Sequence, residues 1–187
     1  AGRYVLKIFE AHHITPENTR FEVEVMDFCA RSGLKVPPIL KNKSDSLTTP
    51  CGNTFCILTR YVDGENADNT EISDTVAREV GEQAGKMDAA LATFKDNKLT
   101  RQEYEFDLKN FLQIETALEY ISDRSERELV TDVFRRFRDL EPSFDALPKG
   151  LIHNDIVLHN LIIKDGSLAA IIDFTDMAFS PYIQNVA

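Results

Sequence analysis

A set of polar residues near the end of the chain has the types and spacing of a site for phosphoryl transfer. Asn160 follows Asp155 by five residues, and Asp173 follows it by eighteen. The Asp155 carboxylate could accept the proton of a substrate hydroxyl, while the Asn160 amide and the Asp173 carboxylate could supply oxygen ligands to Mg²⁺. The pattern therefore predicts Asp155 as a catalytic base and Asn160 and Asp173 as metal ligands.

The segment between Asn160 and Asp173 predicts a tight β-hairpin that would bring these two residues together. Apolar strands at 161–164 and 167–172 flank an Asp-Gly pair at 165–166. Asp-Gly is favoured in two-residue hairpin turns because both residues tolerate positive φ angles. The alternative is a buried hairpin flanked by solvated acids, since an Asp near the end of a strand is most often a turn former.

The same residues resemble the signature of a known family. His-Asn-Asp at 153–155, Asn160 and Ile-Asp-Phe at 172–174 look like the motifs of aminoglycoside phosphotransferases and choline kinases, which are small-molecule kinases with a protein-kinase-like fold. Within this group, the segment IDFTDMAFSPY at 172–182 is most similar to hydroxylysine kinases, which use GTP to phosphorylate 5-hydroxy-L-lysine. The resemblance implies Mg²⁺ as cofactor, GTP or ATP as phosphoryl donor, and a structural role for His153 behind the catalytic loop.

The beginning of the chain offers the lysine that such a kinase would use. Residues 3–9 alternate like a strand with Lys7 at its centre, and residues 21–31 have helical spacing. In kinases the strand lysine contacts the α- and β-phosphates of the nucleotide and is oriented by a helix glutamate. Glu24 fits this orienting role best, with Glu22 as the alternative, because the register read off the sequence could be wrong by two residues.

The resemblance and the order of elements together predict an α+β, protein-kinase-like fold of two lobes. Residues 1–63 would be the remnant of the nucleotide-binding N-terminal lobe, with the lysine strand, a helix and a hinge strand. Residues 64–187 would form a helical C-terminal lobe that carries the catalytic loop and the metal-binding hairpin. Apolar residues spaced by three or four predict a helix from Glu71 onward and two more helices after it. The apolar faces of these two helices are Phe106, Phe111, Ile114, Leu118 and Ile121 in the first, and Leu129, Val133, Phe134, Phe137 and Leu140 in the second.

The chain departs from the family pattern at both ends and at one position near its end. The resemblance implies two strands and a phosphate-covering loop before the lysine strand, and further helices after Ala187. We therefore expect a truncated N-terminal lobe, and a chain that is a fragment of a larger protein or a degenerate isoform. Asn185 stands about where the family carries an acid that steadies the catalytic loop.

Composition and charge argue against several classes of partner. The formal net charge of −10 would repel a phosphate backbone, so nucleic acid is not an expected partner. No apolar run approaches the roughly 20 residues of a membrane span, and the first residues lack the apolar core of a signal peptide. These features predict a cytoplasmic protein without a membrane partner. Its three cysteines include no Cys-x-x-Cys pair and are expected to be reduced thiols.

The sequence thus predicts a small-molecule kinase that moves the γ-phosphoryl group of GTP or ATP to an alcohol, with 5-hydroxy-L-lysine as the expected acceptor. Its substrate would be a small cationic molecule with a hydroxyl group. A non-catalytic kinase-like binding module or a truncated isoform is the alternative. Metal-dependent hydrolysis is a third hypothesis, which would leave Lys7 and Glu24 unexplained. Asp176 would either line the substrate pocket or cap a turn.

Overall fold

The computed structural model describes residues 2–9, 15–69, 71–95, 108–144 and 146–186. Small antiparallel sheets and three α-helices account for most of the regular structure within these ranges. Residues Ala67–Asn69, Leu108–Tyr120, Leu158–Asn160 and Tyr182–Val186 form 3-10 helices. The strands are β1 (Tyr4–Ile8), β2 (Ile39–Leu40), β3 (Thr49–Cys51), β4 (Thr54–Arg60), β5 (Glu65–Asn66), β6 (Lys149–Ile152), β7 (Leu161–Lys164), β8 (Ser167–Ile171) and β9 (Ala178–Pro181), and the α-helices are α1 (Pro16–Arg31), α2 (Asp74–Leu91) and α3 (Arg124–Phe144).

The first sheet contains the predicted lysine strand. β4 lies between β1 and β2 and also pairs with β3, and Lys7 of β1 is opposite Ile57 of β4. Helix α1 packs against this sheet. It begins at Pro16 because the Thr15 side chain accepts a hydrogen bond from the Asn18 N–H at 3.2 Å, which satisfies a backbone donor that the first turn leaves without a partner.

The second sheet contains the predicted hairpin, which the structure confirms. β7 and β8 pair around Asp165 and Gly166, whose φ angles of 51° and 75° are the left-handed values that a two-residue turn requires. β8 ends at Ile171, one residue earlier than predicted. β5 pairs with the other edge of β7, and the close approach requires glycine at position 64, because a Cβ there would lie 2.5 Å from the Ile163 carbonyl oxygen.

Helix α2 packs against both the second sheet and the third sheet, which is formed by β6 and β9. The helix begins where the Ser73 side chain accepts a hydrogen bond from the Val76 N–H. The side chains of Met87, Ile152 and Phe174 are fully buried between these elements, and burial of large apolar side chains contributes roughly 1.5–3 kcal/mol each. This core fixes the ends of β6 and β8, where the predicted site residues begin.

The segment before β6 is helical, as predicted, but differs in detail from the prediction. Its first part is a 3-10 helix that packs on α3, where the rings of Phe111 and Phe134 stack with centroids 4.7 Å apart. Phe134 is buried, whereas Leu129 and Leu140 of the same predicted apolar face are 68% and 59% exposed. The predicted apolar face is therefore only partly covered by the described residues, among which the 3-10 helix packs on one side of α3. Phe106, predicted on the neighbouring face, lies outside the described residues.

The mixture of helices and antiparallel strands confirms the α+β class. The chain leaves the first sheet at the end of β4 and joins the second sheet at β5. The lobe boundary between residues 63 and 64 remains a prediction. In the described part of the chain, no helix combines the length and the apolar character needed to cross a bilayer.

Candidate functional site

Lys7 lies at the centre of a group of polar side chains that we call the Lys7 cluster. Its Nζ donates to Glu22 Oε1 at 2.7 Å, to Asp173 Oδ1 at 3.0 Å and to Thr175 Oγ1 at 3.0 Å. The Glu22 side chain is only 5% exposed, whereas Glu24 lies on the exposed side of α1. The choice of Glu24 as the partner of Lys7 is therefore wrong. Glu22, the alternative, takes this place because the buried side of α1 faces the sheet.

The charges in the Lys7 cluster shift one another's pKa values. Burial is the largest influence on Lys7 and would lower its pKa, but the Glu22 and Asp173 carboxylates outweigh burial, so the pKa is raised. Burial raises the pKa of Glu22, and Lys7 opposes this rise only in part. Burial would also raise the pKa of Asp173, yet the charge of Lys7 and hydrogen bonds from Thr175 lower it overall. The cluster thus keeps a positive charge beside an ionised Asp173 carboxylate.

Asp173 follows β8 and has a left-handed backbone with a φ angle of 61°. Aspartate tolerates this region better than most residues do. Thr175 supports the conformation, because its N–H and its hydroxyl both donate to Asp173 Oδ1, at 3.3 and 2.7 Å. No prediction from the sequence named Thr175. The pattern that points to it is an Asp two residues before a backbone N–H donor, which is the spacing of an Asx turn.

Asp155 and Asn160 lie together on the loop after β6. Asn160 Nδ2 donates to Asp155 Oδ2 at 2.7 Å and to the Asp155 backbone carbonyl at 3.0 Å, which fixes one oxygen of the carboxylate. Burial raises the pKa of Asp155, and the nearby charge of Asp176 raises it further. A carboxylate with a raised pKa is a better proton acceptor. The side chain is 28% exposed, so a substrate could reach it.

His153 is fully buried beneath this loop. Its Nδ1 accepts a hydrogen bond from the Asp155 N–H at 3.3 Å, and its ring meets that of Phe174 edge-on with centroids 4.6 Å apart. Burial lowers the pKa of His153 to about 4, so the ring is neutral at physiological pH. Among the described residues, the Nε2 atom of His153 has no partner in good hydrogen-bond geometry. The Ile172 backbone lies near the ring and raises the pKa of His153 slightly, against the larger effect of burial.

Further polar side chains hold the loop from the side of α2. Asn154 has a φ angle of 67°, its N–H donates to Asn185 Oδ1 at 3.0 Å, and its Oδ1 accepts from Gln184 Nε2 at 2.7 Å. Asn185 in turn donates its Nδ2 to Asp88 Oδ1 at 2.8 Å. Asn185 was predicted at this place from the family pattern. No sequence pattern points to Asp88, which lies 97 residues away along the chain.

A cleft of about 580 Å³ lies between the first and second sheets and reaches the Lys7 cluster. Lys7 and Asp173 line it together with residues 60–62 and Gly64, where the chain passes from one sheet to the other. An apolar cleft with a few polar groups is the usual form of a site for a small molecule. Its apolar lining includes Val5, Met26, Ile57, Ile162 and Ile172.

Asn160 and Asp173 are the residues that could hold a divalent cation. The Ile172 N–H donates to the Asn160 carbonyl at 2.9 Å, which keeps Asn160 beside the chain that leads into Asp173. In the described ranges, no group of three or more His, Cys, Asp or Glu side chains is arranged around a possible metal position. A set of one carboxylate and one amide still fits Mg²⁺, which keeps several waters and commonly binds through one or two protein groups together with substrate phosphates.

Comparison with known sequences gives relatives along the whole chain. The family model described as "Phosphotransferase enzyme family" matches residues 1–187. Hydroxylysine kinase of Mus musculus is 26% identical over 206 residues, which cover 98% of this chain and 55% of the relative. Homoserine kinase of Zymomonas mobilis is 27% identical over 186 residues, which cover 91% of this chain and 52% of the relative. The chain thus spans about half the length of the curated relatives it matches.

Comparison with solved structures gives the same fold. A structure of amicoumacin kinase in complex with AMP-PNP, Ca²⁺ and Ami matches with a TM-score of 0.73 and 16% identity, over 99% of this chain and 56% of the other. Spectinomycin phosphotransferase in complex with ADP and spectinomycin matches with a TM-score of 0.66 and 13% identity, over 100% of this chain and 60% of the other. These matches confirm the predicted kinase-like fold and the resemblance to aminoglycoside phosphotransferases.

Proposed function

Because the chain belongs to the phosphotransferase enzyme family, we propose that it transfers the γ-phosphoryl group of GTP or ATP to the hydroxyl of a small cationic molecule, with 5-hydroxy-L-lysine as the favoured acceptor. The contact of Lys7 with both Glu22 and Asp173 carries this proposal. These contacts bring a strand, a helix and the end of a hairpin together at one cleft, although Lys7 and Asp173 are 166 residues apart in the sequence. A strand lysine with a helix glutamate and a metal-binding aspartate is the set of groups that a kinase uses on nucleotide phosphates.

In this proposal the cleft between the sheets holds the base of the nucleotide. Lys7 would contact the α- and β-phosphates, and Glu22 would keep the Lys7 ammonium in place. Asn160 and Asp173 would hold Mg²⁺, which when bound neutralises charge on the phosphate oxygens. Lys7 also donates to Asp173, so the phosphates would share the lysine with this carboxylate.

Asp155 would act on the acceptor. Its Oδ2 is engaged by Asn160, which leaves Oδ1 to accept the proton of the substrate hydroxyl. As the hydroxyl oxygen bonds to the γ-phosphorus, the bond to the nucleoside diphosphate breaks and the proton passes to Asp155. The pKa of Asp155, raised by burial and by Asp176, suits this transfer.

The same pair of acids supports a cationic acceptor. Asp155 and Asp176 lie near enough for the charge of one to raise the pKa of the other. An ammonium group beside them would relieve this repulsion, and hydroxylysine carries two ammonium groups. Homoserine is also an amino acid with a hydroxyl, and the homoserine kinase of Zymomonas mobilis matches this chain at an identity similar to that of the hydroxylysine kinase, 27% against 26%. Homoserine is therefore the competing acceptor that an assay must include.

The test is a coupled assay of nucleoside diphosphate release by the full-length protein with GTP and with ATP. The acceptors are 5-hydroxy-L-lysine, L-homoserine, choline and an aminoglycoside, and L-lysine is the matched control because it lacks only the hydroxyl. We expect turnover with hydroxylysine and none with lysine. Better turnover of another acceptor would overturn the choice of substrate, and the absence of turnover with every acceptor would overturn the kinase proposal.

The Asp155→Asn variant tests the base. It should lower kcat by roughly 100-fold or more, because proton acceptance is lost. Nucleotide affinity measured by calorimetry should stay near that of the wild type, because the phosphate contacts of Lys7 remain. Near-normal turnover by this variant would rule out Asp155 as the base.

A further inference from the structure

The side-chain amide of Asn185 accepts a hydrogen bond from the backbone of the loop that carries Asp155. Asn154 directly precedes Asp155, and its backbone N–H donates to Asn185 Oδ1 at 3.0 Å. The left-handed backbone of Asn154 makes this bond important for the path of the loop. A neutral amide oxygen is by itself a weaker acceptor than a carboxylate, because hydrogen bonds to ionised groups are roughly twice as strong as neutral ones.

Asn185 does not act by itself, since its amide has a second partner. The side chain is 7% exposed, and its Nδ2 donates to Asp88 Oδ1 at 2.8 Å. One planar amide therefore connects the carboxylate of Asp88 to the N–H of Asn154. A carboxylate that accepts from the amide nitrogen polarises the amide and strengthens its oxygen as an acceptor, because hydrogen bonds in a chain reinforce one another.

The position of Asp88 is costly for an acid. It lies near the end of α2, where burial raises its pKa to about 6 and the hydrogen bond from Asn185 lowers it only in part. A neutral residue here would avoid this desolvation. The purely structural explanation is that Asp88 ties α2 to the 3-10 helix Tyr182–Val186, for which any hydrogen-bond acceptor would serve. A functional role instead requires the charge itself.

We propose that Asp88 is a positioning residue of the phosphoryl-transfer site, whose carboxylate acts through Asn185 on the Asn154 N–H and thereby orients Asp155. The inference rests on the proposed function for its effect on catalysis. It adds a residue of α2, remote in sequence from the catalytic loop, to the groups that determine the rate. The loop would respond to the charge at position 88 even though Asp88 is not among the residues that line the cleft.

Moving the charge along this chain of hydrogen bonds tests the proposal. Asp88→Asn keeps an oxygen that can accept from Asn185 but removes the charge, so kcat should fall about tenfold while the KM for nucleotide stays unchanged. Asn185→Asp alone places two carboxylates in contact and should also lower kcat. The double variant Asp88→Asn/Asn185→Asp returns one negative charge, now directly on the Asn154 N–H, and should restore kcat to within about threefold of the wild type.

Hydrogen exchange of the Asn154 amide gives a measurement that needs no substrate. Its exchange should be about tenfold faster in Asp88→Asn and should return to the wild-type rate in the double variant. Glu82→Gln is the matched control, because Glu82 is an exposed acid of the same helix with surface ion pairs at 3.8 and 3.9 Å, and it should change neither quantity.

The two proposals fail in different ways. Absence of turnover in the wild type would refute the proposed function, whatever the exchange rates are. Wild-type kcat and exchange in Asp88→Asn, or a double variant no better than Asp88→Asn, would refute the role of Asp88. Rescue of both exchange and kcat by the double variant supports it, since a purely structural link would not require a negative charge on either residue.

Discussion

Replacing Lys7 with methionine should separate the stability of the Lys7 cluster from its activity. The substitution leaves Glu22, 5% exposed, 3.4 Å from the Thr175 hydroxyl, whose single proton already goes to Asp173. Removing one partner of a buried ion pair costs about 3–5 kcal/mol. The lysine side chain is 32% exposed and Glu22 can take up a proton, so we expect a loss of about 3 kcal/mol in the free energy of unfolding at pH 8.

A second substitution should recover that stability. Burial raises the pKa of Glu22, so its charged form is unfavourable in the folded state and reduces stability as the pH rises through that pKa. Glu22→Gln removes the charge, and the double variant Lys7→Met/Glu22→Gln should therefore regain most of the loss at pH 8. It should remain inactive, because no ammonium is left to contact the nucleotide phosphates.

Urea unfolding at pH 8 and the coupled kinase assay measure the two effects. Glu24→Gln is the control, since Glu24 is an exposed acid two residues away on the same helix, and its effect on stability should stay within about 0.5 kcal/mol. A Lys7→Met variant as stable as the wild type would refute the contribution of the buried ion pair. An equal loss of turnover in Glu24→Gln and Glu22→Gln would refute the role of Glu22 beside Lys7.

Three further predictions concern the elements around the site. Gly64→Ala should lower stability by about 2 kcal/mol in thermal unfolding because of its contact with β7 and its φ angle of 146°, whereas Gly81→Ala in α2, with open space around it, should raise stability by about 0.5–1 kcal/mol. Asp173→Ala should weaken binding of magnesium-nucleotide at least about tenfold in calorimetry. Between pH 6 and 4, Asp88→Asn should lose stability more steeply than the wild type in urea titrations. The fold loses stability as the pH falls toward the pKa of His153, about 4, because the buried ring is neutral in the folded state. In the wild type, protonation of Asp88 below its pKa of about 6 stabilises the fold and offsets that loss, and Asp88→Asn lacks this offset.

Local chemistry explains which elements the sequence could predict. The Asp165-Gly166 turn demands left-handed φ angles that these two residues accept, so the hairpin followed from a pair of neighbours. The β1 strand and helix α1 followed from periodicity, although the helix begins at Pro16, five residues before the predicted start. The proximity of Asp155 and Asn160 also followed from short spacing along one loop.

Packing between distant segments explains what the sequence could not predict. Phe21, Val25 and Cys29 form the buried stripe of α1, and Glu22 and Glu24 flank it on opposite sides. Which flank meets Lys7 depends on how the helix lies across the sheet, and periodicity does not contain that information. The same holds for the Asp88 contact with Asn185, since neither residue has a local pattern that refers to the other.

The acids of the site form a group that burial disfavours. Burial raises the pKa values of Glu22, Asp88 and Asp155, and Asp173 is an exception because Lys7 and Thr175 outweigh its burial. Each raised pKa means that the ionised form reduces the stability of the fold near neutral pH. A fold selected for stability alone would replace such acids with amides or apolar side chains. Under the proposed function, an ammonium group of the acceptor beside Asp155 would relieve part of this cost, so the free energy that the fold lacks there would become available as binding energy for a cationic acceptor.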